Sequence, residues 1–400
     1  MDRNKYFCDF LNNVRQHPRF KMQTFRPDID IINIRCDVSY ETLNNPGDYY
    51  DFAIKHMEPH VDYFPDDCIL TLGHEETNNI QSLKNSVDAF KCVMDNLVRM
   101  GKTKRYTILL NDNNELTPEI RKHFSDIPEV MMCHWFQHVY YYYYPRPFDW
   151  NNTANRLLYL PGKMEKMHRL YPLYLLWQKG ILNTHTTYSC ITTPTNDYSN
   201  SEWQQMLFDV LNKVAPEINI SMGEFQQLLQ EWDRDIDGLV EQSKQAGKFL
   251  MQPVSAETYL TTCVELITET WMLEPSHITE KTWRPMFAGY PFIHIDDCYT
   301  AKLECKGYRT FTKYLTDVPT KNLHPKSPAG VNFLSNKAVS QAIEFMQVCQ
   351  EPDVAKKIQQ DINFNRNLCR AQTQSVIKRL DQRHPGFADI AENFFTQNGP

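Results

Sequence analysis

The chain has 400 residues, 42% of them hydrophobic and 23% charged, so it is long enough for two cores and too apolar to be disordered. A net charge of −7 counts against a protein that simply coats nucleic acid, though not against a local basic groove. No apolar run approaches the roughly 20 residues of a membrane span, and MDRNKYFCDFLNN lacks the apolar region of a secretory signal; with 11 cysteines scattered without CxxC or a disulfide-like rhythm, a reducing cytoplasm is expected.

In chain order, the first part alternates short β-rich runs with helix-like ones. IDIINIRCDV (28–38) reads as a strand, and CILTLG (68–73) as a second that ends in glycine. SVDAFKCVMDNLVRMG (86–101) is amphipathic with a glycine C-cap, RYTILLND (105–112) is a third strand, and LTPEIRKHF (116–124) opens with the Thr-Pro of a helix start. MMCHWFQH (131–138) is a further apolar run. Its His134 and His138 at i,i+4, with Cys133, could grip a metal, but no third ligand lies nearby, so a core pair is the better reading and no essential metal is expected. YYYYPRPFDWNNTAN (141–155) is rich in Pro and Asn and breaks the pattern, which places a domain boundary there. Its aromatic strip, with Tyr142 and Trp150, offers a stacking platform for bases or sugars; a domain-edge aromatic cluster is the equal alternative.

The alternation then restarts. RLLYLPG (156–162) is strand and turn, HRLYPLYLLWQKG (168–180) a helix with Pro172 near its first turn and a closing glycine, and THTTYSCIT (184–192) a strand. Helices follow around 201–213 and 222–244, then a short helix ETYLTTC (257–263) and a strand VELITET (264–270). YPFIHID (290–296) is the next strand, and DDCYTAKLECKGYRTFTKYL (296–315) repeats helix, glycine, strand. From 336 to 382 the chain reads as amphipathic helix and carries Lys356, Lys357, Arg366, Arg370, Lys378, Arg379 and Arg383 against Asp361 and Asp381. The expected architecture is α/β: two Rossmann-like domains, 1–150 and 151–335, with C-terminal helices over 336–400 packing across them. Ligands of open α/β folds sit at the carboxyl ends of the strands.

Two segments gather charge at such positions. ITEKTWRPMFAGYPFIHI (278–295) sets a Thr-Glu-Lys triplet at the mouth of a helix whose body is apolar. A first helical turn leaves N–H groups unpaired and carries partial positive charge, so a diphosphate is well held there. Lys281 would add a point charge and Arg284 a fork of donors, while Glu280 could accept from the two vicinal hydroxyls of a ribose. Ordinary capping, with Thr279 as N-cap and Glu280 as first-turn acid, accounts for the same residues equally well. PGKMEKMHR (161–169) follows a strand and opens a helix, crowding Lys163, Lys166, His168 and Arg169 where anions bind; a solvated basic loop is its alternative.

The wider string ELITETWMLEPSHITEKTWRPMFAGYPFIHI (265–295) resembles the nucleotide-sugar-binding segment of the α1,3-fucosyltransferases, in which a strand ending in Glu-Asn leads to a Thr-Glu-Lys triplet, a helix and a Gly-x-x-Pro turn. Glu269 falls at the first Glu, Thr270 replaces the Asn, and Gly289-Tyr290-Pro291 resembles the turn. More closely, the string is similar to a group of phage and large-virus glycosyltransferases that share the Thr-Glu-Lys-Thr helix and a later Gly-Tyr/Phe-x-Thr-Phe element, matched by Gly307–Phe311. RLLYLPGKMEKMHRLYPLYLLWQKGIL (156–182) fits that group's upstream block, so the resemblance spans roughly 155–315 and leaves 1–150 without a motif.

The resemblance implies a glycosyltransferase of the GT-B type that uses a UDP- or GDP-sugar in a host cytoplasm. Glu280 would take the ribose hydroxyls, Lys281 the diphosphate, and Glu269 the donor sugar or ribose; the departure at Thr270 leaves sugar and base open. Arg169 or Lys163 would neutralise the leaving diphosphate as charge builds on it. A base for the acceptor hydroxyl would come from the N-terminal half, with Glu75 or His74 in TLGHEETNN (71–79) favoured and Asp112 or Asp37 as alternatives; loops of this kind are also merely polar. Glu257 and Glu265, eight apart, show a spacing also used by retaining enzymes of that type. The acceptor would be a hydroxymethylated pyrimidine in viral DNA, with aromatic strip and basic tail as the groove, or else a glycan or protein hydroxyl. From another class, a non-catalytic nucleotide-sugar-binding module fits the same donor segment. A Gly-rich phosphate loop is missing and Gly numbers only 13, which disfavours other nucleotide enzymes.

Overall fold

A computed structural model describes residues 31–37, 66–73, 80–111, 122–133, 135–191, 199–218, 220–234, 254–269, 278–319 and 323–389, with isolated positions elsewhere. These divide into two compact units: one takes the chain up to Trp135 together with Thr373–Asn398, the other takes Phe136–Gln372. The division falls ahead of the 141–155 stretch, because that stretch is tied into the second unit. The Phe148 amide donates to the Ala288 carbonyl (2.8 Å), the Val254 amide to the Tyr144 hydroxyl (2.8 Å), and Trp150 Nε1 to the Cys263 carbonyl (2.8 Å).

The first unit rests on four parallel strands, β1 (Ile31–Asp37), β2 (Asp67–Gly73), β3 (Arg105–Asn111) and β4 (Val130–Cys133), lying in sequence order. Continuous apolar runs such as CILTL and YTILL suit strands covered on both faces. Helix α1 (Ile80–Arg99) starts earlier than the sequence pattern suggests and lays Leu83, Val87, Phe90, Met94 and Leu97 on the sheet at helical spacing. Gly101, at φ 67, closes it in a conformation that a side chain would resist. Most of the helix expected over 116–124 lies outside the described residues. Helix α2 (Trp135–Tyr143) follows β4 and belongs from Phe136 on to the second unit, so the tyrosine run is helical rather than a linker.

The second unit carries strands β5 (Leu157–Lys163), β6 (Thr186–Ile191), β7 (Val264–Ile267) and β8 (Phe292–His294), all parallel, in the order β6–β5–β7–β8. The chain steps from β5 to β6 on one side, then crosses back to form β7 on the other. The strand order therefore reverses between β5 and β7, which is the topological switch point of a doubly wound sheet. Its helices are α3 (Met167–Gln178), α4 (Leu182–His185), α5 (Asn200–Val214), α6 (Met222–Trp232), α7 (Ala256–Leu260), α8 (Glu280–Ala288), α9 (Asp297–Cys305), α10 (Pro328–Val348) and, up to Gln372, α11 (Pro352–Arg383), whose last turns from Thr373 belong to the first unit. Ser199, Ser221, Asp296 and Ser327 cap helices α5, α6, α9 and α10 as their side chains allow. Helix α10 covers α3 and β7, burying Val331, Leu334, Ala338, Ala342 and Phe345.

Three sequence expectations change here. Pro172 stands inside α3 rather than in its first turn, and α6 ends at Trp232, after which Arg234 bridges to Cys190. No strand follows Gly307. There the Arg309 amide donates to Asn365 Oδ1 (2.8 Å) and Asn365 Nδ2 to the Arg309 carbonyl (2.7 Å), so a side chain of α11 takes the backbone bonds that a neighbouring strand would. The basic stripe of α11 also divides. Arg366 is buried and donates to the carbonyls of Phe287 (3.0 Å), Tyr144 (3.2 Å) and Pro145 (3.0 Å). Arg370 donates to the carbonyls of Tyr141 and Tyr144 (3.1 Å each) and lies 4.2 Å over the Tyr141 ring. Both therefore satisfy the carbonyls at the end of α2, as cations at a helix C-terminus do, and only Lys356, Lys357, Lys378 and Arg379 of the stripe are fully exposed among its described members. Among the described residues no helix is long and apolar enough to cross a membrane.

Candidate functional site

The two charged segments meet at the switch point. Strand β5 ends in Pro161-Gly162-Lys163, and Gly162 takes φ 71, turning the chain so that α3 starts at Met167. A Cβ on Gly162 would lie 4.0 Å from Arg169 Nη1, so the guanidinium folds back over the turn. Lys166, the N-cap residue of α3, places no side-chain bond on its first turn. Beyond β7 the chain continues to Glu269, whose carbonyl accepts from His168 Nε2 (2.9 Å). A carbonyl only accepts, so the proton sits on Nε2, and burial together with the neighbouring Arg169 charge holds the ring neutral, with a pKa of about 3. This bond ties the turn after β5 to the segment after β7.

Glu269 is 4% exposed and anchors the start of α8. Its carboxylate accepts from the Thr279 amide (3.2 Å to Oε2) and from the hydroxyls of Thr279 and Thr282. Thr282 gives its proton to Glu269, so its oxygen accepts from His294 Nε2 (2.8 Å), and burial keeps that ring neutral at about 3. Thr279 is the N-cap of α8, accepting from the Lys281 amide (3.3 Å). Burial raises the Glu269 carboxyl, against the Lys281 charge and the two threonine donors. The capping that the sequence allowed for Thr279 is thus present, with Glu269 as its support.

Glu280 and Lys281 form an ion pair (3.1 Å) with side-chain exposures of 27% and 11%. Burial would raise Glu280, but Lys281, its own amide and Arg284 hold it down at about 2. Burial lowers Lys281, and the Arg169 charge lowers it further; burial likewise lowers Arg169, while Glu280 raises it. Two cations, Arg169 and Lys281, are therefore crowded within each other's field at the carboxyl ends of β5 and β7, with the Glu280 carboxylate beside them. The two cations would attract an anion placed there, and the ionised Glu280 carboxylate would oppose it.

Arg284 has a different task from the phosphate contact expected of it. Its guanidinium is buried in an ion pair with Glu265 in the middle of β7, and Tyr259 also donates to that carboxylate (3.3 Å). Helix geometry explains this: Arg284 lies one turn past Lys281 on the same side of α8, so it is carried away from the helix start and down to Glu265 in the strand. Glu265 is committed there and Glu257 is exposed in the first turn of α7, so the pair spaced by eight shares no site. Trp150, bonded to Cys263 and against Phe345, supports the fold, and Tyr142 packs edge-on to Tyr141 (5.1 Å). Lys163 closes β5 but its side chain lies outside the described residues, as do those of Asp37, Cys133, His134 and His138. His74, Glu75, Glu76, Asp112 and Thr270 lie outside them altogether. Among the described residues no group of three His, Cys, Asp or Glu could hold a metal. The Thr282–His294 pair escaped sequence reasoning; Thr282 standing one helical turn after Thr279 was its only signal. No family model, no curated protein and no solved structure matches the chain.

Proposed function

We propose that the protein is a glycosyltransferase of the GT-B type, moving a sugar from a nucleotide-sugar donor to an acceptor hydroxyl. The observation that carries this is the meeting of Arg169, Lys281 and Glu280 at the switch point of a parallel sheet, where doubly wound folds bind nucleotides. In this scheme Lys281 and Arg169 face the diphosphate and stabilise the negative charge that grows on it as the glycosidic bond breaks. Glu280, ionised at neutral pH, accepts from the ribose hydroxyls. Glu269 and His168 act by holding the two segments in register rather than by touching the sugar. Glu75 or His74 remains the proposed base.

The acceptor is proposed to be a hydroxyl on a modified pyrimidine of DNA, supported by the exposed Lys356, Lys357, Lys378 and Arg379 on α11. A glycan or protein hydroxyl is the second reading, favoured by the internal use of Arg366 and Arg370 and by the net charge of −7. The test is a thermal-shift panel of UDP, GDP, CDP, ADP and their sugars on the wild type and on Lys281→Ala. A nucleotide at a hundred times its Kd stabilises by about 2.7 kcal/mol, and the variant should lose most of that shift while melting as a folded protein. No response to any of the nucleotides by the wild type would refute a donor site at this helix start. A responding donor is then offered hydroxymethylcytosine DNA and glycan acceptors, with sugar incorporation as the readout.

A further inference from the structure

A pocket of about 430 Å³ opens along α3, lined by residues other than those of the site just described. Trp177 stands nine positions past His168, roughly 13 Å along the axis, and no lining residue of the pocket belongs to the donor site. One wall is a single helical face: Tyr171, Tyr174, Trp177 and Gln178. The Tyr171 and Tyr174 rings are stacked (6.3 Å between centroids, 14°), and Tyr174 meets Trp177 at 5.7 Å. Asn336 donates to the Tyr171 hydroxyl (3.2 Å), which fixes that side chain from α10. The opposite wall is the connection between α5 and α6, with Glu217, Ile218 and Ile220.

The electrostatics have one sign. Glu217 is exposed, lies close enough for both phenols to feel its charge, and forms no ion pair with a described residue. Among the described residues the walls contain no lysine or arginine. The carboxylate and the electron-rich ring faces disfavour anions and attract a cation that also carries apolar groups, to which the phenol and amide oxygens can add acceptors. The volume is that of a small-ligand site, for which about 300–1,000 Å³ is usual.

We propose that this pocket binds an alkylated ammonium group, seated against Tyr174 and Trp177 with Glu217 as its counter-ion. The inference stands apart from the proposed transfer reaction, because it shares no residue with the donor site. The group could belong to a free solute or to the side chain of a methylated lysine, and the two are separated by the choice of probe.

The experiment is isothermal titration of the full chain with choline, spermidine and a trimethyl-lysine peptide. The neutral choline analogue 3,3-dimethylbutan-1-ol is the control. At least one cation should saturate with a Kd of about 1 mM or tighter, the neutral analogue should bind about fivefold more weakly or worse, and Glu217→Gln should weaken the cation by a similar factor. Tighter binding of choline or spermidine identifies a solute site; tighter binding of the peptide identifies a protein tail. Glu217 is exposed, so its variant keeps the fold, which circular dichroism checks. Failure of every cation to saturate by about 10 mM would overturn the proposal. So would equal affinity for the neutral analogue, or wild-type affinity in the folded Glu217→Gln protein.

Discussion

Replacing Glu265 with Leu strips the buried Arg284 of its counter-ion. Glu265 is 1% exposed and Arg284 6%, so water cannot take the place of the lost carboxylate. Removing one partner of such a pair costs about 3–5 kcal/mol, because the remaining charge stays desolvated and unpaired. The Tyr259 hydroxyl also loses its acceptor, a further cost of about 1 kcal/mol. For a unit of this size each kcal/mol lowers the melting temperature by about 2–4 °C, so a drop of at least about 8 °C is expected, with a matching fall in the urea midpoint. The double variant Glu265→Leu/Arg284→Met replaces the ion pair by apolar side chains of similar size. Such replacements are often neutral or stabilising, so it should recover all but about 1–2 kcal/mol of the loss. A double variant no more stable than Glu265→Leu, or a single variant costing less than about 1 kcal/mol, would refute the structural role assigned to Arg284. The same double variant tests the site. It should keep the thermal response to nucleoside diphosphates, and a folded double variant that had lost it would return Arg284 to the phosphate.

Acid should destabilise the second unit through its buried histidines. His168 and His294 are held at about 3 by burial, against about 6.5 in an unfolded chain, so protons bind the unfolded form first and stability falls as pH drops from 6.5 towards 3. Each contributes a loss of about 2 kcal/mol by pH 5, while Glu265 and Glu269, raised by burial, act in the opposite direction. His294→Gln keeps a donor for Thr282 and should remove about 2 kcal/mol of the loss between pH 7 and pH 5, read from urea midpoints; an unchanged pH dependence would exclude His294 as a source. Thr282→Val deletes a donor to Glu269 and the acceptor of His294, and should cost about 1–3 kcal/mol with little change in volume, measured by thermal melting. Gly330→Ala should also destabilise, by about 1–3 kcal/mol, since its Cβ would lie 2.2 Å from the His324 carbonyl oxygen and the backbone before α10 must move; a melting temperature equal to wild type would show that this turn gives way freely.

The alternation of apolar runs with amphipathic stretches was enough to specify parallel sheets, because a strand covered on both faces must be apolar throughout and a covering helix must repeat at 3.6 residues. Local chemistry was equally legible where it is satisfied within a few residues, as in Thr279 capping α8 and Gly289, at φ 76, ending it. What depended on tertiary structure was the choice of partner. Nothing near Arg284 in the chain marks it for Glu265, and nothing near Arg366 and Arg370 marks them for the carbonyls of Tyr141 and Tyr144; the same side chains read from sequence as phosphate and nucleic-acid ligands. The candidate site itself joins Arg169 to Lys281, more than a hundred residues apart, through the strand order β6–β5–β7–β8. Burial and pairing are long-range properties. A sequence states which charges a chain carries, and only the fold decides which partners each of them meets.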